Sequence, residues 1–211
     1  MKTLLTISLG VALLTTTASC EKSNSVKDTY TARVERLKER ASILQEFKNA
    51  SKDQYAERVK RGDTLSLPHE ELQKLLPTTI DGYTAANSTG RLLKMSNLPY
   101  SVASREFQKN ATTVKIELVD YNGIYPLSEG MISILAMLPQ GETKQQLIKA
   151  SALENDDILG LEILQKKEGA AKISLAVGGR FLVNVTAAKQ TDLTLVESVA
   201  EQINFAKLTD M

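Results

Sequence analysis

Tryptophan is absent from the 211-residue chain, and cysteine and histidine occur once each. So little histidine and thiol leaves almost no raw material for a Ser-His-Asp triad, a Cys-His pair or a zinc hydrolase. No Gly-x-Gly-x-x-Gly or phosphate-loop sequence occurs, since Gly178-Gly179 lies between two strand-like runs and not before a helix. Aromatic residues make up 5% of the chain, too few to argue for sugar stacking. Neither charge sign is in excess. The 26 basic residues stand against 25 acidic ones, and loss of Lys2 with a leader would leave exact balance. There is then no cationic surplus to displace counterions from phosphates, so nucleic acid is not expected as a partner. One cysteine cannot close a disulfide within the chain, and stability must come from apolar burial.

The first twenty residues are patterned for export. Met1-Lys2 gives a positive start, Thr3 to Leu14 an apolar run, and Thr15-Thr16-Thr17-Ala18-Ser19 a small-residue exit before Cys20. The run is shorter than the roughly 20 apolar residues of a permanent span. Residues 1–19 therefore read as a signal peptide. Ala18-Ser19-Cys20 resembles the lipobox of bacterial lipoproteins, with Thr17 where that pattern carries Leu, and the following Glu21-Lys22 is similar to lipoproteins of Bacteroidota. The resemblance implies cleavage before Cys20, acylation of its sulfur and its new amino group, and residence on an envelope membrane. Two or more acyl chains are what stable anchoring requires. With a single acid after the cysteine, the expected place is the outer membrane facing the periplasm, not the cell surface. The alternative is ordinary cleavage after Ala18, which leaves a free thiol.

Past the cysteine, residues 20–28 are polar and predict a tether. The stretch 29–61 lacks Gly and Pro and is dense in Lys, Arg, Glu and Gln, which predicts a long helix with Asn49-Ala50-Ser51 as its weakest point and Gly62-Asp63 as its stop. Tyr30, Val34, Leu37, Ala41 and Leu44 recur at fours and threes, with Ile43 and Phe47 widening the stripe. The seam then fails at Lys48 and Ser51. This helix either lies on its own domain or offers residues 30–60 to a protein partner.

Residues 62–211 predict an α+β domain. A short helix is expected within Leu65 to Pro77, entered at Pro68, with Glu70-Glu71 in its first turn, Leu72, Leu75 and Leu76 inward and His69 solvated at its start. Strands follow over Ile80 to Ala85 and Arg91 to Met95, separated by a loop at Asn87-Ser88-Thr89-Gly90. A hairpin follows, from Tyr100–Phe107 through Lys109-Asn110 into Thr113–Val119. Val114, Ile116 and Leu118 share one face of it, and Thr113, Lys115 and Glu117 the other. Ser128 to Leu138 predicts a buried helix whose Met131 and Met137 are core filler or the lining of a pliable pocket. Gln145 to Ser151 reads as a strand, and Glu154-Asn155-Asp156-Asp157 as a solvated acidic turn, because EF-hand spacing is lacking. Leu159–Lys167, Lys172–Val177 and Arg180–Ala187 read as strands, the last two joined by a type I′ turn at Gly178-Gly179. A final helix is expected from Asp192 to Leu208.

Leu76-Pro77 before Asp81-Gly82-Tyr83, Val119-Asp120 with Gly123, the Gly179-Arg180-Phe181 and Val183 strand and the closing helix resemble uncharacterised exported bacterial proteins, and their arrangement is similar to a PsbP-type fold. The resemblance implies an antiparallel sheet flanked by helices over about Leu72 to Leu208, and no catalytic residues. Asp63-Thr64-Leu65 resembles the Asp-Thr-apolar glycosylation sites of Bacteroidota. The reading at this stage is a non-enzymatic, lipid-anchored envelope module that binds or scaffolds, with lipidation at Cys20 and no catalytic, metal or cofactor residues. The competing class is an envelope hydrolase working with carboxylates alone.

Overall fold

The computed structural model describes residues 21–95 and 97–211, with side chains from Thr31 onward apart from Arg33. The expected leader and Cys20 lie outside the described residues. The chain falls into two compact units, Met1–Glu39 and Arg40–Met211. Helix α1, Glu21–Lys60, begins in the first and ends in the second. It takes in 21–28, where a tether was expected, and runs unbroken through Asn49-Ala50-Ser51, because no Gly or Pro between 21 and 61 interrupts the backbone. In the first unit Leu37 is 63% exposed.

The second unit is built on one eight-stranded antiparallel sheet. Its strands are β1 Thr84–Met95, β2 Leu98–Lys109, β3 Thr112–Asp120, β4 Gly141–Glu142, β5 Gln146–Ala150, β6 Ile158–Gln165, β7 Ala170–Val177 and β8 Phe181–Ala188, in spatial order β1-β2-β3-β8-β7-β6-β5-β4. Four shorter helices complete it: α2 His69–Gln73, α3 Tyr125–Met137, α4 Thr194–Ala200 and α5 Phe205–Thr209. This is an α+β architecture in which helices lie on both faces of the sheet.

Alternation along the strands decides what each face meets. Phe107, Val114, Ile116, Leu118, Ile173, Leu175, Val183 and Val185 turn to one face and pack with Leu72 and Leu76 beside α2 and with Leu193, Val196, Val199 and Leu208 of the closing segment. On the opposite face Val102, Val119, Leu182, Ala176 and Leu159 form one cross-strand apolar row beneath Phe47 of α1 and Ile132 and Leu135 of α3. Each such side chain contributes about 1.5–3 kcal/mol by leaving water.

Several elements depart from their sequence reading. The loop expected at 87–90 is part of β1, which absorbs the irregularity as a register shift between Ala85 and Ser88. Ile80 makes only a bridge to Tyr83 around the Asp81-Gly82 turn. Helix α3 starts at Tyr125, not Ser128, because a 3-10 turn over Asn122–Ile124 leads directly into it and Pro126 suits its first turn. Helix α2 is shorter than expected, with Pro68 at its N-cap. The closing helix is broken. Asn204 accepts from the Lys207 amide and so starts α5 afresh, while Ile203 between the two pieces stays buried. Met137 is 77% exposed and is not core filler, whereas Met131 is half-buried against the second cluster.

At the end of α1, Gly62 adopts φ +76°, its amide bonds the Val59 carbonyl and the Asp63 amide bonds the Arg58 carbonyl. This Schellman arrangement reverses the chain and delivers Asp63 to the sheet.

Candidate functional site

Next to the covered apolar row, the same face of the sheet carries two further rows, polar across five strands and four strands respectively. The first reads Thr89, Ser104, Glu117, Asn184, Ser174 from β1 to β7 and ends at Leu161. The second reads Glu106, Lys115, Thr186, Lys172 and ends at Ile163 and Ile148. Polar side chains here follow from the same alternation that buries Val114 and Ile116. The hydroxyls of Thr89 and Ser104 are 2.9 Å apart, Ser174 Oγ donates to Asn184 Oδ1 at 2.7 Å, and Lys115 Nζ lies 3.2 Å from Glu117 Oε2.

The second row borders a groove of about 470 Å³, lined by Ala170 and Ala188 as well as by Thr113, Lys115, Ile163, Gln165, Lys172 and Thr186. Lys115 and Lys172 flank Thr186 across β8, so their strands are about 10 Å apart. Among the described residues nothing forms an ion pair or hydrogen bond with the Lys172 side chain, and no carboxylate lines the groove. The arrangement offers ammonium, hydroxyl and amide groups over small apolar side chains. It can hold a small molecule with a negative group, and it lacks a nucleophile–base pair. Thr113, Lys115 and Glu117, read from the sequence as one face of the strand, lie together on this half of the face. Under α1 and α3 the same face is covered.

The strongest electrostatic cluster is structural. Asp120 is fully buried at the end of β3 and Arg180, 2% exposed, follows the Gly178-Gly179 turn. Arg180 Nε and Nη2 donate to the two Asp120 oxygens at 3.0 and 2.8 Å, and Nη1 donates to Asp63 Oδ2 at 2.9 Å. The remaining lone pairs of Asp120 accept from the Leu67 and Asn122 amides. Sequence reading met Asp120 within the Val119-Asp120 motif and missed this pair, which joins positions 60 residues apart. Arg58, also buried, donates from Nε to Asn122 Oδ1 at 3.0 Å. Burial, then repulsion from Arg180, holds its pKa below the ordinary arginine value. Arg58 borders a smaller groove of about 270 Å³ shared with Asp53, Glu57, Arg61 and Asp210, which mixes both charge signs.

Two carboxylates of the acidic turn are engaged by α1. Glu154 of the acidic turn is not solvated as expected, because Arg40 of α1 grips both its oxygens at 2.6 Å and the Gly160 amide donates to it at 2.8 Å. Asp157 accepts from Gln54 at 2.8 Å. The acidic turn is thus the dock for α1. Glu162, buried on β6, and Glu197 of α4 both lie 2.8 Å from Lys149 Nζ. Burial pushes the Glu162 carboxyl up, but its contacts with Lys149 and Glu197 and the Ala152 amide and Ser151 hydroxyl outweigh this and leave its pKa below the ordinary value. Lys149 is raised by its bonds to Glu162 and Glu197.

A pH dependence follows. The depressed carboxyl stabilises the fold fully above the ordinary glutamate pKa and ceases to as pH falls through its folded value. The raised lysine contributes fully below the ordinary lysine pKa and is lost at strongly alkaline pH. Glu162→Gln is expected to flatten the acid limb of melting temperature against pH. An acid limb unchanged from wild type would show that this cluster carries no such linkage.

His69 starts α2, half-buried against Gly90, with Nδ1 2.6 Å from Glu70. Among the described residues no group of three or more His, Cys, Asp or Glu could hold a metal ion, and no helix is long and apolar enough to cross a membrane. Thr64 and Leu65 are exposed, while Asp63 beside them is engaged by Arg180 and Asn122. Comparison with protein-family models, with curated proteins and with solved structures finds no match to this chain.

Proposed function

We propose that the protein is a lipid-anchored envelope binding module, held by acylated Cys20 on the periplasmic side of the outer membrane, which captures small anion-bearing molecules in the sheet groove. Helix α1 then serves as a cover, since its Arg40, Phe47 and Ser51 side chains pack on the folded unit. The PsbP-type resemblance remains part of this proposal at the level of architecture. One observation carries the binding assignment: a cluster of small and polar residues with an unpartnered Lys172 lies on a sheet face that helices cover elsewhere. A polar surface meant only for water needs no concavity, whereas ligand sites are concave with a few convergent polar groups.

Titrating benzoate while following backbone amide resonances tests the reading. The amides of Thr113, Lys115, Lys172 and Thr186 are expected to shift, benzamide is expected to act more weakly, and Lys172→Glu is expected to abolish the benzoate response. No groove amide moving with either compound would end the binding assignment. For the anchor, mass spectrometry of the envelope-extracted protein should show an acylated Cys20, and Cys20→Ser should release it from the membrane fraction.

A further inference from the structure

The hairpin of β1 and β2 outruns the sheet. Its pairing continues through Leu93 with Tyr100 and Lys94 with Pro99 to Met95 with Leu98, whereas β2 meets β3 no further than Ser101 opposite Asp120. Three residue pairs therefore stand beyond the end of β3, about 10 Å of strand at the usual rise. The first two of them rest on the segment that follows β3. Tyr100 stacks on Tyr121 with ring centroids 5.8 Å apart, and Gly123 lies so close to the Pro99 carbonyl that a Cβ there would be 2.3 Å from it.

The outer part of the hairpin, from the Arg91–Val102 pair to Met95–Leu98, is apolar and cationic at once. Leu92 is 55% exposed on one side, with Met95 at 47% and Leu98 at 49% on the other. Arg91 and Lys94 between them are exposed, and among the described residues neither has an ion-pair or hydrogen-bond partner. The stretch 91–105 contains no Asp or Glu. Lysine on an edge strand discourages strand addition, but that role calls for no exposed Leu and Met beside it. A basic, apolar hairpin end suits seating at the boundary between headgroups and acyl chains, where apolar side chains enter and cations stay with the headgroups, and its charge complements anionic lipid.

We infer that the β1–β2 hairpin end is a membrane-contacting finger that seats in the headgroup layer of an anionic bilayer. Leu92, Met95 and Leu98 enter the boundary, and Arg91 and Lys94 pair with lipid phosphates. The inference stands apart from the sheet groove and needs no acyl group on Cys20. A finger of this kind would give a tethered domain a second point of attachment and so fix its orientation on the membrane.

The absence of tryptophan supplies a local reporter. In the full chain carrying Cys20→Ser, Leu98→Trp is expected to show a blue-shifted, quencher-protected emission on addition of phosphatidylcholine–phosphatidylglycerol vesicles, and little change with phosphatidylcholine alone. Lys167→Trp, exposed in the turn between β6 and β7 at the opposite end of the strands, is expected to stay unshifted. Adding Arg91→Gln and Lys94→Gln to the Leu98→Trp protein is expected to weaken partition about fivefold per cation removed. An emission that ignores anionic vesicles, that shifts equally at both reporter sites, or that survives loss of both cations undiminished overturns the inference.

Discussion

Arg180→Ala is expected to lower the unfolding free energy by about 3–5 kcal/mol, because it removes one partner of a buried ion pair and leaves the other charge uncompensated. The Asp120 carboxylate would keep its bonds from the Leu67 and Asn122 amides but lose both guanidinium donors, in a site with no access to water. Asp120→Ala is expected to cost a similar amount, since it strands those two amides as well as Arg180. Asp63 is 37% exposed, so Asp63→Ala should cost clearly less. Urea unfolding of the three variants checks this ranking. A loss of under about 1 kcal/mol for Arg180→Ala would place the pair among ordinary solvated contacts. The pair matters to the architecture because it connects the loop after α1 with the ends of β3 and β8, where the chain passes from one face of the sheet to the other.

Gly179→Ala is expected to be nearly as damaging, and its twin Gly178→Ala is not. Both glycines sit at positive φ, +56° and +60°, as a type I′ turn requires, so either alanine carries the left-handed penalty of about 1–2 kcal/mol. At Gly178 the nearest atoms to an added Cβ are 3.6 Å away, ordinary contact. At Gly179 they are Ser51 Cβ at 2.4 Å and Ser51 Cα at 2.8 Å. Relief would require α1 to move off the hairpin and would disturb Phe47 and Arg58 on the same helix face, adding about 1–3 kcal/mol of overpacking. Chemical denaturation should therefore separate the two variants by that increment. Equal losses would mean that α1 does not rest on the turn.

The same contact explains where the helical pattern misled. Sequence periodicity placed Ser51 as the point where the apolar stripe of α1 fails, yet Ser51 is 2% exposed. The buried face runs through Arg40, Leu44, Phe47, Ser51 and Arg58, and three of these five are polar. Hydrophobicity does not mark it, because a small side chain allows close approach and the two arginines find carboxylate, amide and carbonyl partners on the sheet. Leu37 and Ala41, counted into the stripe, are exposed. The candidate groove was partly legible: Thr113, Lys115 and Glu117 were assigned to one face of β3. Lys172, Gln165 and Thr186 join them only through strand register.

What the sequence determined alone was local. Alternation in Thr113–Val119 and the strands after Leu159, the Gly178-Gly179 turn and the Gly62 helix stop each depend on dihedral preference and side-chain direction within a few residues, and these physical constraints act before any tertiary contact forms. Tertiary structure decided which polar groups are buried and which apolar ones are not. Whether Asp120 is a turn residue or half of a buried ion pair depends on a partner far along the chain, and whether a sheet face is core or groove depends on where α1 and α3 come to rest. Burial and pairing are properties of the assembled neighbours, and a residue's own chemistry cannot specify them.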